Sequence, residues 1–172
     1  FKNSVLSSPE IKSVTTSGAI PAAHNFSDMG FRTDEMQDVI SSIYIQTGYD
    51  FFETYEMEFA SGRAFSKEFG TDTANKYIVN ETVVRKIGIA NAEDAIGVKY
   101  GAFNSEGEYQ SGEIIGVLKD FHFKPLDKEI EPVSFALNNE WMEYITIRYS
   151  TNELSPFIEK MEEEWKTFFP HE

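Results

Sequence analysis

The chain has 172 residues, 41% of them hydrophobic and fifteen of them Phe, enough apolar matter for a buried core and too much for a disordered chain. A formal net charge of −14 argues against a nucleic-acid partner and against docking on an anionic lipid surface, because both need a basic face. With no cysteine, disulfides, cysteine-ligated zinc and thiol catalysis are excluded.

In chain order, residues 1–11 read as the end of a linker or a short helix limited by Pro9, and Val14 to Ser17 as a first strand followed by a loop over 18–21. Residues 22–37 are polar, with Asn25, Ser27, Asp28, Gly30 and Asp34, and are expected to form an irregular loop. Ile40 to Thr47 alternates, Ile43 and Ile45 against Tyr44 and Gln46, as in a half-buried strand. Asp50 precedes Glu53 at the spacing of a capping box, so a short aromatic helix is expected from Phe51 through Tyr55 toward Met57 and Phe59, closed by Gly62 and Arg63. A polar connection over 64–76 leads to a strand at Tyr77 to Val79. Asn80 is then a natural helix cap, Val83, Val84 and Ile87 have helical spacing, and Gly88 ends the helix.

A second turn over 91–95 ends at Gly97. Val98 to Phe103 reads as a strand, residues 104–107 as a hairpin turn, and Glu108 to Gly116 as the return strand. The apolar run Ile114, Ile115, Val117 and Leu118, interrupted only by Gly116, is the strand around which the chain is organised. It leaves the core through the alternating residues 119–124, which are expected to prolong it until Pro125. A strand over Val133 to Leu137 follows Glu131 and Pro132, then a turn at Asn138 and Asn139 and an alternating strand from Tyr144 to Tyr149. The last element is an amphipathic helix expected to start with Ser155 as cap and Pro156 at its first position, burying Phe157, Ile158, Met161, Trp165 and Phe168. The order implies a mixed α/β (α+β) fold in two lobes, one from both ends of the chain (1–69 with 121–172) and a smaller inserted strand–helix–hairpin lobe at 70–120.

Few residues point to chemistry. Asp120 and His122 stand two apart on the expected strand end, hence on one face, where such a pair can orient a general base or bind a metal. A solvated strand end is the simpler reading, and a metal site needs further ligands, for which only the imidazoles of His24 and His171 remain. Glu53, Glu56 and Glu58 could act as paired carboxylates, but with 29 acidic residues chance clusters are expected. Arg63 could bind an anion, though a structural ion pair is more ordinary. Trp141 and Tyr144 flank a turn and could offer a partner edge, or pack between lobes. Nucleotide-binding glycine loops and a nucleophile elbow are absent. No catalytic, cofactor-binding or metal-binding residue is therefore assigned, and no cofactor is expected. No run approaches the roughly 20 apolar residues of a membrane span. No signal peptide is visible, but the sequence starts at Phe1 rather than Met and is expected to be a piece of a longer protein.

Three motifs carry a resemblance. Residues 79–97, VNETVVRKIGIANAEDAIG, resemble the V-N-E-x6-G segment of MacB/FtsX-type ABC transporter permeases. IIGVLKDFHFKPL, followed by Glu131 and Pro132, resembles that family's I-I-G-V-V-K-D-F-H-F segment with its E-P. Tyr49, Phe51 and Phe52, followed by Met57 to Arg63, resemble its Y…M-x4-G-R segment. The three occur in this order over about two thirds of the chain, in the manner of permeases from Bacteroidetes-type bacteria. The resemblance implies a non-enzymatic periplasmic core domain, with a lobe related to efflux-pump porter domains. The parent is implied to be an inner-membrane transporter that couples ATP-driven helix movement to a periplasmic substrate or adaptor. Its implied partners are its own transmembrane helices, a second permease copy and a cytoplasmic ABC ATPase. Gly62, Arg63, Asn80, Glu81, Gly88, Gly97, Gly116, Asp120, Phe121, His122 and Pro132 would be structural signatures. The alternatives are a standalone ligand-binding or sensory module, or a hydrolase using Asp120, His122 or the acidic residues.

Overall fold

The computed structural model describes residues 1–21, 26–104, 106–125, 127–137 and 142–170. Its elements in chain order are α1 (Lys2–Val5), β1 (Ile11–Ser17), β2 (Ser27–Thr33), β3 (Ile40–Thr47), α2 (Phe51–Thr54) and β4 (Phe59–Gly62). After a 3-10 turn at Gly70–Thr73 come β5 (Lys76–Asn80) and α3 (Glu81–Lys86). A second 3-10 turn at Glu93–Ala95 precedes β6 (Lys99–Phe103), β7 (Tyr109–Leu118), β8 (Val133–Leu137), β9 (Tyr144–Tyr149) and α4 (Leu154–Phe168). The fold is mixed α+β, as expected.

The strand pairings close on themselves. The path runs β2-β6-β7-β5-β8-β3, and β3 pairs again with β2. Strands β6, β7 and β5, all from residues 70–120, form one contiguous half of this ring, and β8, β3 and β2 form the other. Two parallel pairings, β3 with β8 and β5 with β7, are needed for closure. Inside, Phe31 stacks on Tyr100 at 5.1 Å between ring centres and meets the edge of Tyr77 at 5.7 Å. Phe31 and Tyr77 belong to strands that are not neighbours, so the contact crosses the ring. The Tyr100 hydroxyl lies 2.8 Å from Ser134 Oγ, which lies 2.9 Å from Ser42 Oγ. These buried hydroxyls satisfy one another, which removes the cost of an unpaired polar group in an apolar interior.

A bulge aims β7 both ways. Tyr77 pairs with Ile114 but Ile78 with Gly116, so Ile115 is an extra residue. Ile114 and Val117 consequently face the ring's core, while Ile115 and Leu118 join an outer cluster with Phe51, Phe52, Ile43, Ile45, Ile78 and Phe135. Phe51 and Phe52 are fully buried there, each contributing about 1.5–3 kcal/mol by burial. The ribbon β1–β9 extends from the end of β3, with α2 on one face and α1 and α4 on the other, where Val14, Ile147, Phe157 and Met161 pack.

Several expectations are corrected. The expected loop over 22–37 contains β2: Met29, Phe31 and Thr33 alternate with Asp28, Gly30 and Arg32, and strands on both sides supply the missing hydrogen bonds. β3 is covered on both faces rather than one, Tyr44 packing against the inner cluster. The capping box at Asp50 does not form; its carboxylate pairs with Lys2 instead, α2 ends at Thr54, and Phe59 begins a strand. Ser155 does not cap α4, which begins at Leu154 after Glu153, two residues before the expected first position, and holds Pro156 in its first turn; of its apolar stripe Phe157 is buried, whereas Ile158 and Phe168 are exposed. The expected strand over 119–124 stops at Leu118. The turn at Asn138 and Asn139, and Trp141, His24 and His171, lie outside the described residues. Among the described residues, no helix is long and apolar enough to cross a membrane.

Candidate functional site

Four of the residues expected to be structural signatures, Asn80, Glu81, Asp120 and Pro132, converge on the start of α3. Asn80 is fully buried and works three ways. Its Oδ1 accepts from the Val83 N–H at 3.2 Å, capping the helix, and from the Val133 N–H at 3.0 Å; its amide donates to the Glu131 carbonyl at 2.9 Å. The carbonyl of Pro132, between those two partners, accepts from the Ile43 N–H at 2.9 Å. One side chain thus fastens α3 to the entry of β8, which a good helix cap alone did not foretell.

Glu81 and Asp120 form the next layer. The Asp120 N–H donates to Glu81 Oε2 at 3.0 Å, and Asp120 Oδ1 accepts from the Thr82 N–H at 2.9 Å and its hydroxyl at 3.0 Å. Arg85 reaches Asp120 Oδ2 at 2.7 Å. These bonds explain why the chain leaves strand geometry after Leu118: its backbone is committed to α3 rather than to a ladder. Asp120 is an acceptor already occupied by cationic and neutral donors, which is the arrangement of an anchor. His122 is exposed, and no hydrogen bond joins it to Asp120 among the described residues. Thr82 was not singled out in the sequence, although a hydroxyl in the first turn of a capped helix is a common acceptor or donor for such a clamp.

Gly62, Arg63 and Gly116 form a second knot. Gly62 has φ 74°, and a Cβ there would lie 2.3 Å from the Ile115 carbonyl oxygen; at Gly116 it would lie 2.5 Å from that of Arg63. Both positions require glycine because β4 and β7 approach so closely. Arg63 makes a two-pronged pair with buried Asp72 at 2.6 and 2.8 Å and lies over the Phe69 ring at 3.9 Å. The guanidinium hydrogen bond is the main reason that the Asp72 carboxyl titrates below its usual value, against the opposing effect of burial. Arg63 is therefore a structural ion-pair residue. Gly88, with φ 81°, ends α3, and Gly97, with φ 84°, precedes β6.

A groove of about 390 Å³ lies beside the Asp120 anchor, between Tyr55–Glu58 and Lys119–His122, with Pro21 at its rim. It is the place where Asp120, Phe121 and His122 meet open space. Phe121 packs toward Phe123 and Phe135 and forms part of its wall. Lys119 donates to Glu58 Oε2 at 2.6 Å, a bond that lowers the Glu58 pKa and raises that of Lys119. Glu56 pairs with Arg148. Glu53, Glu56 and Glu58 thus do not gather as a carboxylate pair poised over one bond; two of them are neutralised by separate cations. Among the described residues, no group of three or more His, Asp or Glu comes together to hold a metal.

No protein-family model matches the chain, and no curated protein matches it. Solved structures do. The periplasmic region of MacB from Actinobacillus actinomycetemcomitans superposes with a TM-score of 0.60 at 15% identity, covering 97% of this chain and 72% of that one. This chain has the fold of the MacB periplasmic region. A domain of a putative permease protein from Porphyromonas gingivalis gives 0.63 at 13% identity, covering 92% and 71%. The extracellular domain of the noncanonic ABC-type transporter YknZ from Gram-positive bacteria gives 0.59 at 14% identity, covering 87% and 71%. The likeness runs through almost the whole chain.

Proposed function

We propose that the chain is the extracytoplasmic, non-enzymatic domain of an ABC transporter permease of the MacB/FtsX type, held outside the cytoplasmic membrane. The observation that carries this reading is the shared fold with the MacB periplasmic region over 97% of the chain. The occupied state of Asp120, the ion pairs of Arg63, Glu56 and Glu58, and the absence of a joined Asp–His pair fit a domain that handles a partner rather than one that turns over a substrate. In this reading the domain is joined to transmembrane helices of its own parent and works beside a second permease copy. A cytoplasmic ABC ATPase drives it through the membrane part, and mechanical movement is passed to a periplasmic substrate or adaptor, as in efflux.

The division into a porter-like lobe (1–69 with 121–172) and an inserted lobe (70–120) belongs to the same proposal. What supports it is that β5, β6 and β7 form one contiguous half of the ring, joined to the rest through β2–β6, β5–β8 and the pairing of β4 with β7. The groove beside Asp120 favours a second reading, a ligand-binding or sensory module, in which Tyr55, Met57, Phe121 and His122 would hold a small molecule. Reading the parent gene distinguishes them. The permease reading requires a hydrophobic span of roughly 20 residues on each side of this segment. A gene encoding a soluble protein with saturable small-molecule binding in the groove would replace it with the second reading.

A further inference from the structure

The sheet ends at β9, and among the described residues nothing pairs with its outer edge. Natural sheets protect such edges with lysine, proline, bulges or a covering element. β9 (YITIRY) has none of these devices: the bulge in its pairing lies on β1, and its one charge, Arg148, is paired with Glu56. An apolar groove of about 350 Å³ runs beside it, walled by Ile145 and Ile147 and by Ile158, Met161 and Trp165 of α4. Ile145 is 38% exposed and Ile158 46%. An unpaired ladder edge specifies an extended strand as its occupant, and the adjoining apolar groove specifies apolar residues on one face of that strand.

We infer that β9 is a self-pairing edge, joined antiparallel to β9 of a second copy about a two-fold axis at Ile147. The register follows from the geometry. The Thr16 carbonyl accepts from the Gly48 N–H on β3, so Thr16 turns away from β9 and its partner Ile145 turns away from β1. The Ser150 N–H donates to the Glu10 carbonyl of the β1 side, so by alternation the backbone groups of Ile145, Ile147 and Tyr149 point to the outer edge. Hydrogen-bonded pairs are then Ile147 with its own counterpart and Ile145 with the second copy's Tyr149, all on the face that carries α4, and Thr146 stands opposite the second copy's Arg148 in a non-hydrogen-bonded pair. A slip by one residue would set Ile145 against Arg148 and break the alternation on both strands. β9 contains no acidic residue, so its one basic residue falls opposite threonine rather than a like charge, although the whole chain carries −14. This surface follows from the sheet edge alone and does not depend on the transporter reading.

The chain lacks cysteine, which makes the test clean. In the proposed register the Ile147 pair is of the hydrogen-bonded kind, with Cα atoms about 5.5 Å apart, within the range of about 4.4–6.8 Å that a disulfide accepts. Sedimentation equilibrium is expected to show a monomer–dimer system, with more dimer at higher salt because salt screens the repulsion between two acidic copies. Mild oxidation is expected to cross-link Ile147→Cys to itself, and Ile145→Cys to Tyr149→Cys when the two are mixed. Asp38→Cys, exposed elsewhere, stays monomeric. Ile145→Lys is expected to reduce association at least tenfold with an unchanged circular dichroism spectrum. The mixed pair serves if Ile147→Cys does not fold. A protein that stays monomeric at its highest soluble concentration, or a dimer whose β9 variants cross-link no better than Asp38→Cys, overturns the proposal.

Discussion

Glu81 and Asp120 hold each other's chains: the Asp120 N–H donates to Glu81, and the Asp120 carboxylate accepts from Thr82, the residue after Glu81. A helix leaves its first four N–H groups without internal partners. Here an acceptor from a distant segment takes one of them, and the helix start in turn pins the chain where it leaves β7. Asp120→Ala is therefore expected to cost about 1–3 kcal/mol in urea unfolding, because it leaves Thr82 and Arg85 without their acceptor. His122→Ala, next but one and exposed, should stay within about 0.5 kcal/mol. The opposite order would show that His122, not Asp120, carries the structural role of this motif.

Asn80 is the more sensitive position. Asn80→Ala removes the acceptor of the Val83 and Val133 N–H groups and the donor to Glu131, all at a site with no solvent access. A loss of about 3 kcal/mol is expected, combining a lost cap with buried groups left unpaired. Asn80→Asp keeps both accepting interactions but presents a charged oxygen to the Glu131 carbonyl, and should also destabilise. Thermal unfolding of the two variants measures this, and a cost near zero for Asn80→Ala would contradict the account.

The stretch from Lys76 to Gly88 was legible because its signals are local: an apolar strand, a capping asparagine, helical spacing and a glycine stop. β2 was not, because Asp28, Gly30 and Asp34 resemble turn residues; its alternation of Met29, Phe31 and Thr33 was present but subdued by their polar neighbours. The strand expected over 119–124 failed for another reason. Its alternation is real, but after Lys119 the Asp120 N–H goes to the Glu81 carboxylate, a contact made by chain far away in sequence. Closure of the ring rests on parallel pairings with long crossovers, which leave no local mark in the residues. At the candidate site the participants Asp120, Phe121 and His122 were visible, whereas their partners Thr82 and Tyr55 and the neutralisation of Arg63 by Asp72 depend on the fold.

Asp72 sets a pH dependence. Its pKa in the folded protein lies below the unfolded value, Arg63 being the largest cause. A depressed carboxyl pKa contributes stability that is present above the unfolded pKa of about 3.9 and is lost as pH falls through the folded value. Asp72→Asn is expected to lose about 2–3 kcal/mol at neutral pH, leaving a half-exposed Arg63 unpaired, and to flatten the acid limb of the stability curve. Denaturant midpoints between pH 7 and the acid limit give the answer, and a variant with the wild-type acid limb would contradict it.

Tyrosines govern the alkaline side. Tyr77 is pushed up to about 12, first by burial, and burial raises Tyr100 still further. Groups whose folded pKa is raised contribute stability that is present below the unfolded pKa of about 10 and lost as pH rises through the folded value. Stability should therefore decline from about pH 10 upward. Tyr100→Phe should remove part of that decline while costing about 1 kcal/mol at pH 7, since Ser134 keeps Ser42 as a partner. Tyrosinate absorbance at 295 nm reads the titration directly.

The central claim is that this domain works outside the cytoplasm, attached to a membrane-embedded permease. Its lack of cysteine offers the most direct test. Glu68→Cys, on an exposed turn, is placed in the full-length parent protein with any other cysteine replaced by serine, expressed in cells whose outer envelope has been made permeable and treated with a membrane-impermeant maleimide. The account predicts labelling in intact cells, equal to that after lysis, with the protein remaining in the membrane fraction. Labelling only after lysis, or a parent protein recovered wholly in the soluble cytoplasmic fraction, would contradict it.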